Sequence, residues 1–154
     1  MSDSPSVVTP LLAVYGTLRR GYRNWPLIAA SSTPVDEGTL PGRLMHISSP
    51  MRRYPYPGYV PSELPEHSGG TQRVVVEVVS IDDAAMWPQL DALERYDPGD
   101  VAGSEYVRVE ALVASTSGLA LRCWTYRYQG PTDGYDEVPG GDWGRLYRPG
   151  VDGH

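Results

Sequence analysis

The chain has 154 residues, one cysteine and a formal net charge of −6 from 13 basic and 19 acidic residues. That length suits one domain with a core that stands without disulfides, the acidic balance argues against nucleic-acid binding, and no segment is long and apolar enough to span a bilayer as a helix. A lone Cys123 excludes an intrachain disulfide and a thiolate metal cage, and it suits a reducing compartment.

The first ten residues, MSDSPSVVTP, form a polar lead-in that is expected to be flexible, with no basic or long apolar stretch of a secretory signal. The chain is therefore expected to be a soluble cytoplasmic protein, with a single domain over 11–154. Leu11 to Tyr15 reads as a central strand, apolar on both faces. Trp25 to Ala30 suits a turn or two of helix, with Pro26 tolerated at its start. Val35 to Leu40 and Gly42 to Ile47 are short strand candidates, with Pro41-Gly42 as the turn between them. Ser48 to Gly70 is so rich in proline, tyrosine and glycine that a long loop is expected. Gln72 to Val79, QRVVVEVV, is the clearest strand.

Ser80 offers a helix N-cap ahead of Asp82 and Asp83, and a helix is expected to run to about Tyr96, kinked or split by Pro88. Asp97-Pro98-Gly99-Asp100 ends it. Tyr106 to Ala114 and Ala120 to Tyr128 read as a hairpin around Ser115-Thr116-Ser117-Gly118. About six strands and one main helix predict an α+β fold: a small mixed, largely antiparallel β-barrel with the helix packed against it.

Two places carry candidate chemistry. The first is the exit from the first strand, Tyr15-Gly16-Thr17-Leu18-Arg19-Arg20-Gly21. Three readings of it stand: an ordinary turn, a cradle of backbone amides for an anion, or a basic patch. The second is the helix WPQLDALERY. At about 100° per residue, Leu90 lies roughly 300° and Glu94 roughly 340° round from Trp87, so Glu94 projects onto the apolar side. Desolvation there favours the protonated carboxyl, and an acid poised nearer neutrality can take and return a proton. The alternative is a helix-end glutamate that reaches solvent or pairs with an arginine. Asp91 lies at the edge of the apolar side and Arg95 points away.

Three segments together, VYGTLRRG (14–21), LDALERY (90–96) and GGDW (140–143), resemble the gamma-glutamyl cyclotransferase-like family, including its AIG2-like and gamma-glutamylamine cyclotransferase members. Tyr56-Pro57-Gly58, Glu105-Tyr106-Val107-Arg108 and Trp124-Thr125-Tyr126 resemble further parts of it. The resemblance implies a pocket at one end of the barrel. It implies that Tyr15, Gly16, Thr17 and Leu18 bind the α-carboxylate of a gamma-glutamyl group through backbone N–H groups, that Glu94 is the general acid/base, and that Tyr126 hydrogen-bonds near the pocket. Asn24 and Arg19 are secondary candidates, Arg19 being read first as a solvated surface residue. The family commonly has glycine after this glutamate, where this chain has Arg95, a cation that would favour ionised Glu94.

The implied reaction releases 5-oxoproline from a small gamma-glutamyl substrate and needs no cofactor. His46, His67 and His154 are scattered without ligand spacing, so no metal site is expected. Asp142 and Trp143 read as structural, and Cys123 as a small core residue. A non-catalytic binding module of the same fold, holding a carboxylate-bearing metabolite, is the alternative; an enzyme in which water attacks is a further one. The sequence carries no signal for oligomeric state.

Overall fold

The computed structural model describes residues 10–22, 24–48, 50, 55–61 and 72–147. Residues 1–9 of the lead-in, His67, His154 and much of the expected 48–70 loop lie outside them. Strands β1 (Leu11–Val14), β2 (Ser32–Ile47), β3 (Tyr56–Pro61), β4 (Arg73–Ile81), β5 (Tyr106–Ser115), β6 (Ala120–Tyr128) and the short β7 (Asp136–Glu137) join one sheet, with helices α1 (Trp25–Ala29) and α2 (Met86–Leu93). The sheet closes on itself in the order β1-β4-β2-β3-β6 and back to β1. The pairs β1–β4, β4–β2 and β2–β3 are antiparallel, and β3–β6 and β6–β1 are parallel. This is a closed five-stranded mixed barrel, as the α+β reading of the sequence expected. Strand β5 extends it as the hairpin partner of β6 and touches β2 at Gly38 and Thr39.

Both faces of β1 are buried. Leu12 and Val14 join a cluster with Leu90 and Met86 of α2, while Ala13 and Tyr15 join one built on Val74, Val76, Val78 and Trp143. The period-2 alternation of a strand makes this division. Burying a side chain such as Leu90, which is fully enclosed, contributes about 1.5–3 kcal/mol and fixes α2 on the barrel. Among the described residues, no helix is long and apolar enough to cross a membrane.

Several sequence expectations need correction. Pro41-Gly42 is not a turn between two strands: β2 runs through it. Residues from Ser32 to Pro41 pair with β4, and residues from Gly42 to Ile47 pair with β3. The Pro-Gly step is thus a corner at which one strand changes partners, and Gly42 takes φ 146°, a left-handed value open to glycine. Second, the expected 48–70 loop contains β3, whose prolines disguise it. Third, Ser80 stays in β4, and α2 starts only at Met86. Asp83 prepares that start by accepting the Ala85 N–H at 3.0 Å. Pro88 lies in the first turn of α2, where its missing N–H has no intrahelical partner to lose, so it neither kinks nor splits the helix.

Candidate active site

A cavity of about 170 Å³ opens where β1 runs out into its loop, beside the end of α2. Its lining includes Tyr15, Gly16, Thr17 and Leu18 from the loop, Glu94 and Leu93 from the helix end, Tyr56 and Pro57 from β3, Tyr106 from β5 and Tyr126 from β6. Of the site candidates singled out in the sequence, Tyr15, Gly16, Thr17, Leu18, Asn24, Glu94 and Tyr126 line this cavity and Arg19 does not.

The loop is built to stay open. Leu18 anchors it in the core at 5 % exposure. Asn24 ties it off twice, its N–H donating to the Thr17 carbonyl at 2.8 Å and its side-chain amide to the Thr17 hydroxyl at 2.7 Å. The Arg19 N–H turns back to the Gly16 carbonyl at 2.9 Å. Among the described residues, the N–H groups of Gly16, Thr17 and Leu18 make no backbone hydrogen bond. Thr17 accepts from Asn24, which leaves its own hydroxyl proton to give. Such a set of donors suits an anion. Arg19 does not supply a basic patch, nor is it a solvated surface residue. Its guanidinium lies 3.2 Å from Glu77 and 2.9 Å from Asp142, tying the loop to β4 and to the C-terminal segment.

Glu94 sits one residue past the end of α2, at its C-cap. The helical projection put it on the apolar side, and the cavity lies there. Its negative charge reaches the phenols of Tyr15, Tyr106 and Tyr126, adding to burial, the larger cause, in raising their pKa values. Arg95 follows with φ 56°, the left-handed position of a helix C-terminus. The Tyr96 N–H bonds the Asp91 carbonyl at 2.8 Å and the Arg95 N–H bonds the Ala92 carbonyl at 3.1 Å, the double closure of a Schellman motif. That closure turns the chain sharply away, leaving Glu94 on the cavity and Arg95 exposed. A glycine would fit the Arg95 position without strain.

Tyr126 is 3 % exposed and donates its hydroxyl to Asp91 Oδ1 at 2.6 Å. Asp91 also meets Arg108 Nε at 3.2 Å, and the Arg108 guanidinium lies between the rings of Trp87 (4.8 Å) and Trp124 (5.2 Å). The Tyr15 hydroxyl donates to the Tyr126 carbonyl at 2.6 Å, and the Tyr106 hydroxyl donates to the Pro57 carbonyl. The sequence reading missed Tyr106 on the cavity wall and the Asp91–Arg108 pair that holds Tyr126 from behind. A hint existed for Asp91, which stands one helical turn before Glu94 at the edge of the apolar side. Arg108 gave no comparable signal, because only the fold brings β5 to α2. His46 lies elsewhere, stacked on Trp143 and Tyr147.

Comparison with known proteins bears on the fold and the family. No curated protein matches the chain in sequence. Its fold is similar to an uncharacterized protein from Pyrococcus horikoshii, at 18 % identity and TM-score 0.61 over 89 % of this chain and 92 % of that one. It is also similar to a uropathogenic E. coli-specific protein, at 23 % identity and TM-score 0.57 over 89 % and 94 % of the two chains. A third likeness is an AIG2-like protein from Mus musculus, at 19 % identity and TM-score 0.60 over 85 % and 86 %. The sequence model described as gamma-glutamyl cyclotransferase, AIG2-like matches residues 12–145, which takes in the loop, α2 and the barrel alike. With that span matched, the chain belongs to the gamma-glutamyl cyclotransferase, AIG2-like family.

Proposed function

We propose that the protein is a gamma-glutamyl cyclotransferase that releases 5-oxoproline and a free amine from a small gamma-glutamyl amide. The observation that carries this reading is that the Glu94 carboxylate and the amide-bearing loop Gly16–Leu18 share one small cavity. The loop is the place for the substrate's α-carboxylate. The α-amine, one carbon away, then falls toward Glu94.

The reaction is internal to the substrate. Glu94 takes a proton from the α-ammonium. The freed amine attacks the γ-carbonyl, forming a carbon–nitrogen bond and a five-membered ring. The bond from the γ-carbon to the leaving nitrogen breaks, Glu94 returns its proton to that nitrogen, and the second proton that the ring nitrogen sheds on becoming an amide also passes to the departing amine, which leaves as an ammonium. Atoms and protons balance between the substrate and one carboxyl group. Tethering removes the need to gather two reactants, so the cavity's work is to hold the folded geometry and move the proton.

The test is incubation with a panel of gamma-glutamyl amines and dipeptides, following 5-oxoproline by mass spectrometry, with Glu94→Gln alongside. Glu94→Gln is expected to keep the fold and lose about 10²–10⁴-fold in turnover, the usual worth of a positioned acid/base. Undiminished turnover in that variant rules Glu94 out. Release of free glutamate instead of 5-oxoproline would show that water attacks. Binding of gamma-glutamyl ligands without any product would favour a non-catalytic module.

A further inference from the structure

Behind Tyr126 of the cavity wall lies a charged assembly that the proton transfer does not use. Asp91 is 7 % exposed, and its carboxylate is shared between the Tyr126 hydroxyl and the Arg108 guanidinium, with Arg108 Nη2 reaching Oδ2 at 3.4 Å. A carboxylate held in an ion pair accepts hydrogen bonds and cannot donate them. Tyr126 must then be the donor in that bond, and its remaining lone pair is all it can offer the cavity. Burial first, and the Asp91 carboxylate next, hold the Tyr126 phenol protonated.

The neighbouring hydroxyls follow the same polarity. Tyr15 gives its proton to the Tyr126 carbonyl, and Tyr106 gives its own to the Pro57 carbonyl. All three phenols thus turn their protons into the protein; the Tyr15 oxygen also accepts the Tyr59 N–H at 3.4 Å, which leaves Tyr126 and Tyr106 with lone pairs to offer. Beside Glu94 they make a surface that favours a ligand's N–H donors over its acceptors. The loop Gly16–Leu18, by contrast, is a donor surface.

We propose that Asp91, ion-paired with Arg108, is a positioning residue that fixes Tyr126 as a hydrogen-bond acceptor, so that the wall recognises the ligand's free α-amine. This inference rests on the cyclotransferase reading and adds to it a residue and a basis for selecting the substrate.

Two probes test it: gamma-glutamyl methylamide as substrate, and glutaric acid monomethylamide, which keeps the carboxylate and the amide but lacks the amine, as competitive inhibitor. In the unaltered protein the inhibitor's Ki is expected to exceed the substrate's KM. In Tyr126→Phe, which leaves the Asp91–Arg108 pair in place, KM is expected to rise about tenfold, the worth of one hydrogen bond to a charged group, with a smaller fall in kcat and the Ki unmoved. Asp91→Asn is expected to raise KM in the same way. The double variant should be no worse than Tyr126→Phe, because Asp91 acts through Tyr126. A merely structural Asp91 would lower Tm and raise Ki and KM together, and that pattern overturns the proposal, as does an unchanged KM in Tyr126→Phe. If Asp91→Asn does not fold, the Tyr126→Phe result decides. Ki equal to KM in the unaltered protein overturns the amine-selecting wall alone. Absence of any turnover of the methylamide, across the wider panel as well, overturns the functional reading and this inference with it.

Discussion

Gly16 and Pro57 approach so closely that a methyl group on Gly16 would overlap Cγ of the Pro57 ring and lie 3.2 Å from its Cδ. The loop that bears the amides therefore rests directly on β3, at a spacing that leaves no room for a side chain on Gly16. A proline ring has little freedom to yield.

Gly16→Ala is expected to push the loop and β3 apart. Overpacking of this kind costs about 1–3 kcal/mol, which chemical denaturation would read as a lower midpoint at unchanged m-value. Turnover of a gamma-glutamyl amide should fall further than stability does, because in the proposed function the displaced amides hold the substrate's carboxylate. A variant with full activity and native stability would show that the contact is dispensable.

Arg95 takes φ 56° where glycine is at ease. Arg95→Gly is expected to stabilise the protein by about 0.5–1 kcal/mol, the relief of a left-handed residue less the added freedom of the unfolded chain. For a chain of this size that is a rise in Tm of about 1–4 °C. With Arg95 exposed, turnover should stay within about twofold, as for an ordinary surface change. A large gain in turnover would instead mean that the guanidinium acts on Glu94.

These two positions show what could be read in advance. The loop and Glu94 were legible because each announces itself locally: a strand that ends at Gly16, and a carboxylate whose helical phase matches Leu90. Strand β4 was legible because QRVVVEVV has one reading. Strand β3 was not. In YPGYVP the two prolines and the glycine read as loop, yet β3 needs full pairing only toward β2, since its parallel contact with β6 is the single pair Tyr59 and Arg127. Likewise Pro41-Gly42 was taken for a chain reversal because proline and glycine mark both turns and corners. Which of the two they make depends on β3 and β4 offering separate partners. The pairing of Asp91 with Arg108 joins two elements through tertiary packing and has no signature in either segment alone.

Asp36 on β2 gathers hydroxyls from the β5–β6 turn, accepting from Ser117 at 2.6 Å, Ser115 at 2.8 Å and Thr116 at 3.2 Å, besides the Glu37 N–H at 2.8 Å. These bonds, Ser117 foremost, hold its carboxyl down at about 2 against an ordinary 3.8. A folded value below the unfolded one means that the contribution to stability is complete above the unfolded value and is lost as pH falls toward 2. Asp36→Asn should flatten that acid limb between about pH 4 and 2 in thermal melts. An unchanged acid limb would place the acid sensitivity elsewhere.

Burial pushes the Cys123 thiol up to about 11 from 9.0, and the residue is only 2 % exposed. Folded protein at neutral pH should resist thiol reagents, with labelling appearing only as denaturant opens the chain. The sign in alkali follows: the unfolded thiol ionises first, so stability declines as pH rises from about 9 to 11. Cys123→Ala removes that part of the alkaline decline at the expense of a small cavity. Rapid labelling of the native protein would contradict the burial.

The parallel pairing of Leu12 with Trp124 has a consequence for the order of events during folding. The strand that leads into the Gly16–Leu18 loop cannot find both its neighbours until nearly the whole chain is available. Contacts so distant in sequence are slow to form. The donor loop and the Tyr126 wall, which lie on β1's exit and on β6, are therefore expected to come together in the last stage of barrel closure. In refolding, catalytic competence should lag behind the β2–β3 and β5–β6 hairpins, whose partners are close in sequence.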